Sequence, residues 1–116
     1  MKKASNEVST SVQAKLRALL AVMTEPDMAE LLDLDLQSLP QVLADPGRSQ
    51  EVAARIIDAE YVVSRAAQVF VGSAVRGWLF GHSPIFAGAR PIDVIKADGP
   101  SLVVTELERI AAGGYA

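Results

Sequence analysis

The sequence predicts an all-α protein, and three observations carry that prediction. From Val12 to Ala111, apolar residues recur at the 3.6-residue period of amphipathic helices. No stretch alternates apolar and polar residues long enough to demand a strand. Proline and glycine stand where one apolar face gives way to the next, as at Pro26, Asp45-Pro46-Gly47, Pro84, Pro100 and Gly113-Gly114.

The chain has 116 residues, 50% apolar and 22% charged, which suits one compact domain or two small helical subdomains sharing a core. A net charge of -3 argues against a general polyanion binder, so any nucleic-acid contact must come from a local patch. There is no cysteine, hence neither a disulfide framework nor a thiolate metal site, and a cytoplasmic setting is expected. Met1-Lys2-Lys3 is followed by polar residues rather than an apolar run, so neither a signal peptide nor a membrane span is expected.

Residues 1–10 lack periodicity and read as a disordered arm. The first helix carries Val12, Leu16, Leu19, Leu20 and Met23 on one face, with Lys15 and Arg17 off it. Thr24 caps the second helix, about residues 26–33, with Pro26 in its first turn and Asp27 completing a capping box. Its buried residues are Met28, Leu31 and Leu32. A third helix follows, with Leu36, Leu39, Val42 and Leu43 facing the core, and ends at Asp45-Pro46-Gly47. Helix, turn and helix make residues 11–48 a helix-turn-helix-like unit.

Ser49 caps the longest helix, about residues 50–71, within a spine segment of residues 49–72. Val52, Ile56, Ala59, Val63, Ala66 and Phe70 form its stripe, and Ile57, Val62 and Val69 widen it toward a second contact, a surface for self-association. Residues 73–116 open near Trp78, the only tryptophan, and run through short helices over that aromatic anchor. In the last helix Val103, Leu107, Ile110 and Ala111 share one face, leaving Glu106, Glu108 and Arg109 outside it. Asp98 or Gly99 caps it, Pro100 lies in its first turn, and Gly113 supplies a left-handed ending.

Little in this sequence resembles catalytic machinery. His82 and Ser83 are neighbours, which prevents the facing geometry of a nucleophile and its base, and no local carboxylate orients the ring. They read as a loop histidine and a capping serine. Asp27, Glu30, Asp33 and Asp35 form a solvated acidic face, not a coordination loop. Gly77, Gly81 and Gly88 match no phosphate-binding pattern and read as turn glycines. No enzyme activity, cofactor or metal is expected.

The order Trp78-Leu79, Ser83-Pro84, Gly88, Arg90-Pro91-Ile92-Asp93-Val94-Ile95, Gly99 and Ile110-Ala111-Ala112-Gly113-Gly114 resembles the toxin-binding domain of Xre/MbcA/ParS antitoxins. The resemblance covers about the last third of the chain. It implies that residues 73–116 bind and silence a RES-domain toxin that consumes NAD or transfers ADP-ribose, as a homodimer or a higher hetero-oligomer with the toxin. The implied contacts are Trp78, Arg90, Gly113, Gly114, Tyr115 and Ala116. In this reading Tyr115 offers a ring to an adenine or nicotinamide slot, and the Ala116 carboxylate meets an arginine meant for NAD phosphate. Trp78 and Arg90 also read as a core anchor, about 3–5 kcal/mol to truncate when buried, and as a solvated charge.

Xre-type antitoxins commonly bind operator DNA. Gln37, Ser38 and Gln41 occupy exposed positions of the third helix and are types that read bases, with Arg48, Lys2, Lys3, Lys15 and Arg17 for the backbone. Against this, residues 24–46 hold six carboxylates and no Lys or Arg, a face that repels a duplex. Pro40 also fits that helix only in its first turn. The alternative to an antitoxin is a DNA-binding regulator with no toxin partner.

Overall fold

The computed structural model describes the backbone from Lys2 to Gly114 and the side chains of residues 11–113. The described residues are all-α, as predicted, with no strand among them. The helices are α1 (Lys2–Leu20), α2 (Glu25–Leu31), α3 (Leu39–Ala44), α4 (Gln50–Ala66), α5 (Ala74–Phe80), α6 (Pro91–Asp98) and α7 (Ser101–Arg109). None is long and apolar enough to cross a membrane. The chain divides into two compact units, residues 1–60 and 61–116, with the boundary inside α4.

In the first unit α1 begins at Lys2, where the sequence suggests an arm. Once the amphipathic part of a helix is anchored, each added residue gains one hydrogen bond at little cost, so a polar extension stays helical. Val12, Leu16 and Leu19 are buried on the predicted face, and Lys15 donates to Glu60 at 3.2 Å. α2 starts as its sequence requires. The Asp27 N–H donates to Thr24 Oγ1 at 3.3 Å, the Thr24 N–H donates to Asp27 Oδ2 at 3.2 Å, and Pro26 lies in the first turn. Its far end closes on Asp33 in the left-handed region, φ 57°, with the Leu34 N–H reaching the Ala29 carbonyl at 2.8 Å. Aspartate tolerates that conformation better than most side chains.

The third predicted helix is tighter than expected at its start. Leu36–Ser38 form a 3₁₀ turn, and α-helical geometry begins only at Leu39, which places Pro40 in the first turn. Leu39 is buried, but Leu36 is 50% exposed and not part of the core. Ser49 caps α4 through Oγ, which accepts from the Val52 N–H at 3.3 Å. Arg55 of α4 donates to the Leu32 carbonyl at the end of α2, a cation where the helix dipole favours one.

In the second unit α4 stops at Ala66, short of the predicted Val71. The Ala66 carbonyl takes both the Val69 and Phe70 N–H groups, at 3.0 and 2.8 Å, and the chain turns toward α5. Its core comprises Val62, Val63, Ala66, Val75, Leu79, Ile92, Val94, Val103, Val104 and Leu107. Ile57, expected to widen the α4 stripe, is exposed, as is Tyr61. Gly77 lies within α5 rather than in a turn. Gly81 ends α5 so close to it that a Cβ there would stand 2.7 Å from the Gly77 carbonyl oxygen. Gly99 ends α6, and Pro100, not Asp98 or Gly99, takes the cap position of α7.

Removal of the Thr24 hydroxyl tests the capping box. Thr24→Ala is expected to lower unfolding free energy by about 1 kcal/mol, seen in urea as a lower midpoint with an unchanged slope.

Candidate functional site

Helix α5 turns Val75 and Leu79 inward, and Trp78, one position before Leu79, is left half-buried on the flank. Phe70, from the turn after α4, packs against it with ring centroids 5.6 Å apart and planes tilted by 33°. Val69, Phe70, Trp78, Arg109 and Ile110 line a groove of about 500 Å³. Val71, next to Phe70, is 89% exposed. On its other side Val69 borders a smaller cleft of about 290 Å³, also lined by Leu107 and Ala111. There Arg65 and Glu108 form an ion pair at 3.0 Å. Trp78 is thus both anchor and surface, because only part of its ring is needed to close the core.

Arg109 is held at the groove by an unexpected partner. Glu106, placed outside the apolar face by the sequence, is only 8% exposed. Arg109 grips it with two bonds, Nε to Oε1 at 2.9 Å and Nη2 to Oε2 at 2.6 Å. A carboxylate buried without such a fork would be costly. The hydrogen bonds from Arg109 hold the Glu106 carboxyl below the usual carboxylate range, although burial alone pushes it up.

Arg90 is held in the same way. Its backbone N–H donates to Asp93 Oδ2 at 3.2 Å, and its Nε and Nη2 donate to Oδ2 and Oδ1 at 3.0 and 2.9 Å. Asp93 sits in the first turn of α6, where the dipole also favours a negative charge. Hydrogen bonding to the Arg90 guanidinium lowers its carboxyl below the ordinary aspartate value. The side chain the resemblance makes a partner contact also closes a helix start. The Arg-Pro-x-Asp order was the available signal, since Pro91 at the helix start puts Asp93 in reach of the preceding residue.

Gly113 adopts the left-handed conformation predicted for it, φ 95° and ψ 15°, within a wide closing turn, Ile110–Gly114. Tyr115 and Ala116 lie outside the described residues. His82 is exposed, with Nδ1 2.7 Å from the Gly88 carbonyl oxygen. Ser83 makes no side-chain capping bond, contrary to expectation, and instead uses its backbone to close the loop with Gly88 and Ala89. That loop passes through Ala87 at φ 58°, a left-handed residue that no glycine announced. Arg76 lies over the Phe80 ring, 5.0 Å from its centroid.

In the first unit Gln37, Gln41 and Arg48 are exposed and Ser38 is half-buried. Gln37 and Ser38 stand on the 3₁₀ turn and Gln41 on α3, so no single long helix presents all three. Gln41 and Arg48 border a cleft of about 480 Å³ that also contains Asp45. Glu25, Asp33, Asp35 and Asp45 are exposed. Among the described residues no three His, Asp or Glu side chains gather as a metal site requires. Comparison of the chain with protein-family models, curated proteins and solved structures gives no match.

Acid should reveal the two Arg–carboxylate forks. Both folded carboxyls titrate below their unfolded values, so their contribution is complete above the ordinary carboxylate range and is lost as pH falls through the depressed folded values. Urea midpoints followed from neutral pH into acid should fall over that window. Glu106→Gln should be less stable at neutral pH and show a shallower acid loss.

Proposed function

We propose that this chain is an antitoxin whose second unit binds and silences a RES-type toxin acting on NAD. The observation that carries this reading is the aromatic groove of Val69, Phe70, Trp78 and Ile110, an apolar surface where the first residue of the antitoxin-like order, Trp78, meets Ile110 of its closing run. A partly exposed tryptophan beside a second aromatic ring and a fixed arginine is the composition of an interface anchor. Arg90, a toxin contact in this reading, also shapes the unit through Asp93.

Inhibition in this reading is steric. The groove seats the toxin surface, and residues Gly113 to Ala116 cover the toxin's NAD pocket.

The test is co-expression with a RES-domain protein encoded beside this chain. The expected result is co-purification of the two and recovery of cellular NAD. Trp78→Ala should abolish both while the variant stays folded, with a stability loss below the roughly 3–5 kcal/mol of a fully buried aromatic. Trp78 is only half-buried. Full neutralisation by folded Trp78→Ala would place the toxin contact elsewhere, and NAD depletion unaffected by the wild-type chain would dismiss the antitoxin reading.

A further inference from the structure

Beside the groove stands an apolar side chain that packs on almost nothing. Val71 follows Phe70, one of the groove walls, yet it is 89% exposed, more than any other large apolar side chain among the described residues. Its place is fixed by the turn that carries it. The Ala74 N–H donates to the Val71 carbonyl and the Val75 N–H to the Gly72 carbonyl, both at 3.2 Å. Gly72 takes the left-handed conformation, φ 59°, and Val75 is buried in the core of the second unit. Val71 is thereby kept from swinging into the groove it adjoins. A knob and a hollow lie side by side on one surface of residues 61–116.

We propose that the groove is a contact between two copies of this chain, with Val71 of each copy seated between Phe70, Trp78 and Ile110 of the other. A two-fold contact needs a surface complementary to itself, and a protruding aliphatic side chain beside an apolar hollow is such a surface. The hollow is large enough, since an apolar cavity of about 150 Å³ already admits a benzene-sized guest. The groove measures about 500 Å³. The charges agree as well. Glu106 answers Arg109 within its own helix, and the cleft that shares Val69 carries one charge of each sign, Arg65 and Glu108. Two identical rims can therefore meet with opposite charges facing. Residues 61–116 hold four carboxylates against five lysines and arginines, which leaves little repulsion between copies and little field to attract a strongly charged partner. Area sets the strength. The groove walls and Val71 are six residues, against about 20–30 a side in a stable interface. The contact belongs to the weak, exchangeable class. It concerns the free chain and does not need a toxin. Where a toxin uses the same groove, self-association and toxin binding exclude each other.

The only tryptophan lies in the groove and reports on it directly. Sedimentation velocity and acrylamide quenching of Trp78 are to be followed from micromolar to millimolar protein in the wild type, in Val71→Asp and in the milder Val71→Ser, with far-UV circular dichroism as the check on folding. Val71 supports no core, so both variants should fold. In the wild type the mass should rise with concentration toward twice that of the monomer while quenching of Trp78 falls. Val71→Asp should stay monomeric, with quenching that concentration does not change, and Val71→Ser should associate less than the wild type. A sample mixing labelled and unlabelled wild-type chains should show an intermolecular nuclear Overhauser contact between the Val71 methyl groups and the Trp78 ring. A wild type that stays monomeric at millimolar concentration would overturn the proposal. So would association that survives in folded Val71→Asp, which would place the contact elsewhere, or Trp78 equally protected at every dilution, which would mean that one chain covers its own groove. Failure here leaves the toxin test unaffected, since that test reads complex formation and NAD, and failure of the toxin test leaves mass and quenching as they are.

Discussion

Helices of six to nine residues do not persist alone in water, because nucleation costs more than so few hydrogen bonds return. Five of the seven helices described, α2, α3, α5, α6 and α7, fall in that range. Each exists only because its ends are satisfied and one face is buried. Thr24 with Asp27 and Arg90 with Asp93 close helix starts, and proline occupies the first turn of α2, α3 and α6. Leu39, Leu79, Ile92 and Leu107 supply burial. The groove inherits this dependence, since its walls belong to α5, to the end of α7 and to the turn after α4.

That constraint explains which parts of the fold were legible in the sequence. Three ends with a chemical marker read correctly, Thr24-Glu25-Pro26-Asp27, Ser49 and Gly113, each doing locally what its side chains, or the lack of one, allow, whereas Ser83 and Asp98 do not cap the helices they precede. Elements decided by tertiary contact did not. Nothing between Ala67 and Val71 forbids a helix, yet α4 ends at Ala66 and Phe70 packs on Trp78. Gly77 carries the mark of a turn but is held in α5 by the burial of Val75 and Leu79 on either side. Leu36 has the spacing of a core residue, and the 3₁₀ turn rotates it out to solvent.

At the candidate site the misread residues were the charged ones. Periodicity ranks a glutamate as a surface residue, and Glu106 is buried because Arg109, three positions later on the same helix, covers it with a planar fork. The same spacing links Arg90 and Asp93. In both cases the arginine's charge is largely answered within its own helix. A partner seated at the groove would then meet chiefly apolar area and ring geometry, with Arg109 contributing a fixed plane more than a long-range field. Trp78 stands out in the sequence by its rarity. Its ring partner, Phe70, reads from periodicity as part of the preceding helix.

The distribution of charge separates what the two units can recognise. Residues 1–60 hold ten carboxylates against six lysines and arginines, and residues 61–116 hold four against five. Of the six cations in the first unit, Lys15 pairs with Glu60 and Arg55 with Glu51. Affinity for a duplex grows with the number of phosphates neutralised, and the surplus of carboxylates beside Gln37 and Gln41 opposes that at every distance shorter than the screening length. A nearly neutral unit with an apolar groove has no such handicap toward a protein. Its affinity would come from burial, which salt does not weaken, so ionic strength should affect the two kinds of contact differently even when both occur on one chain.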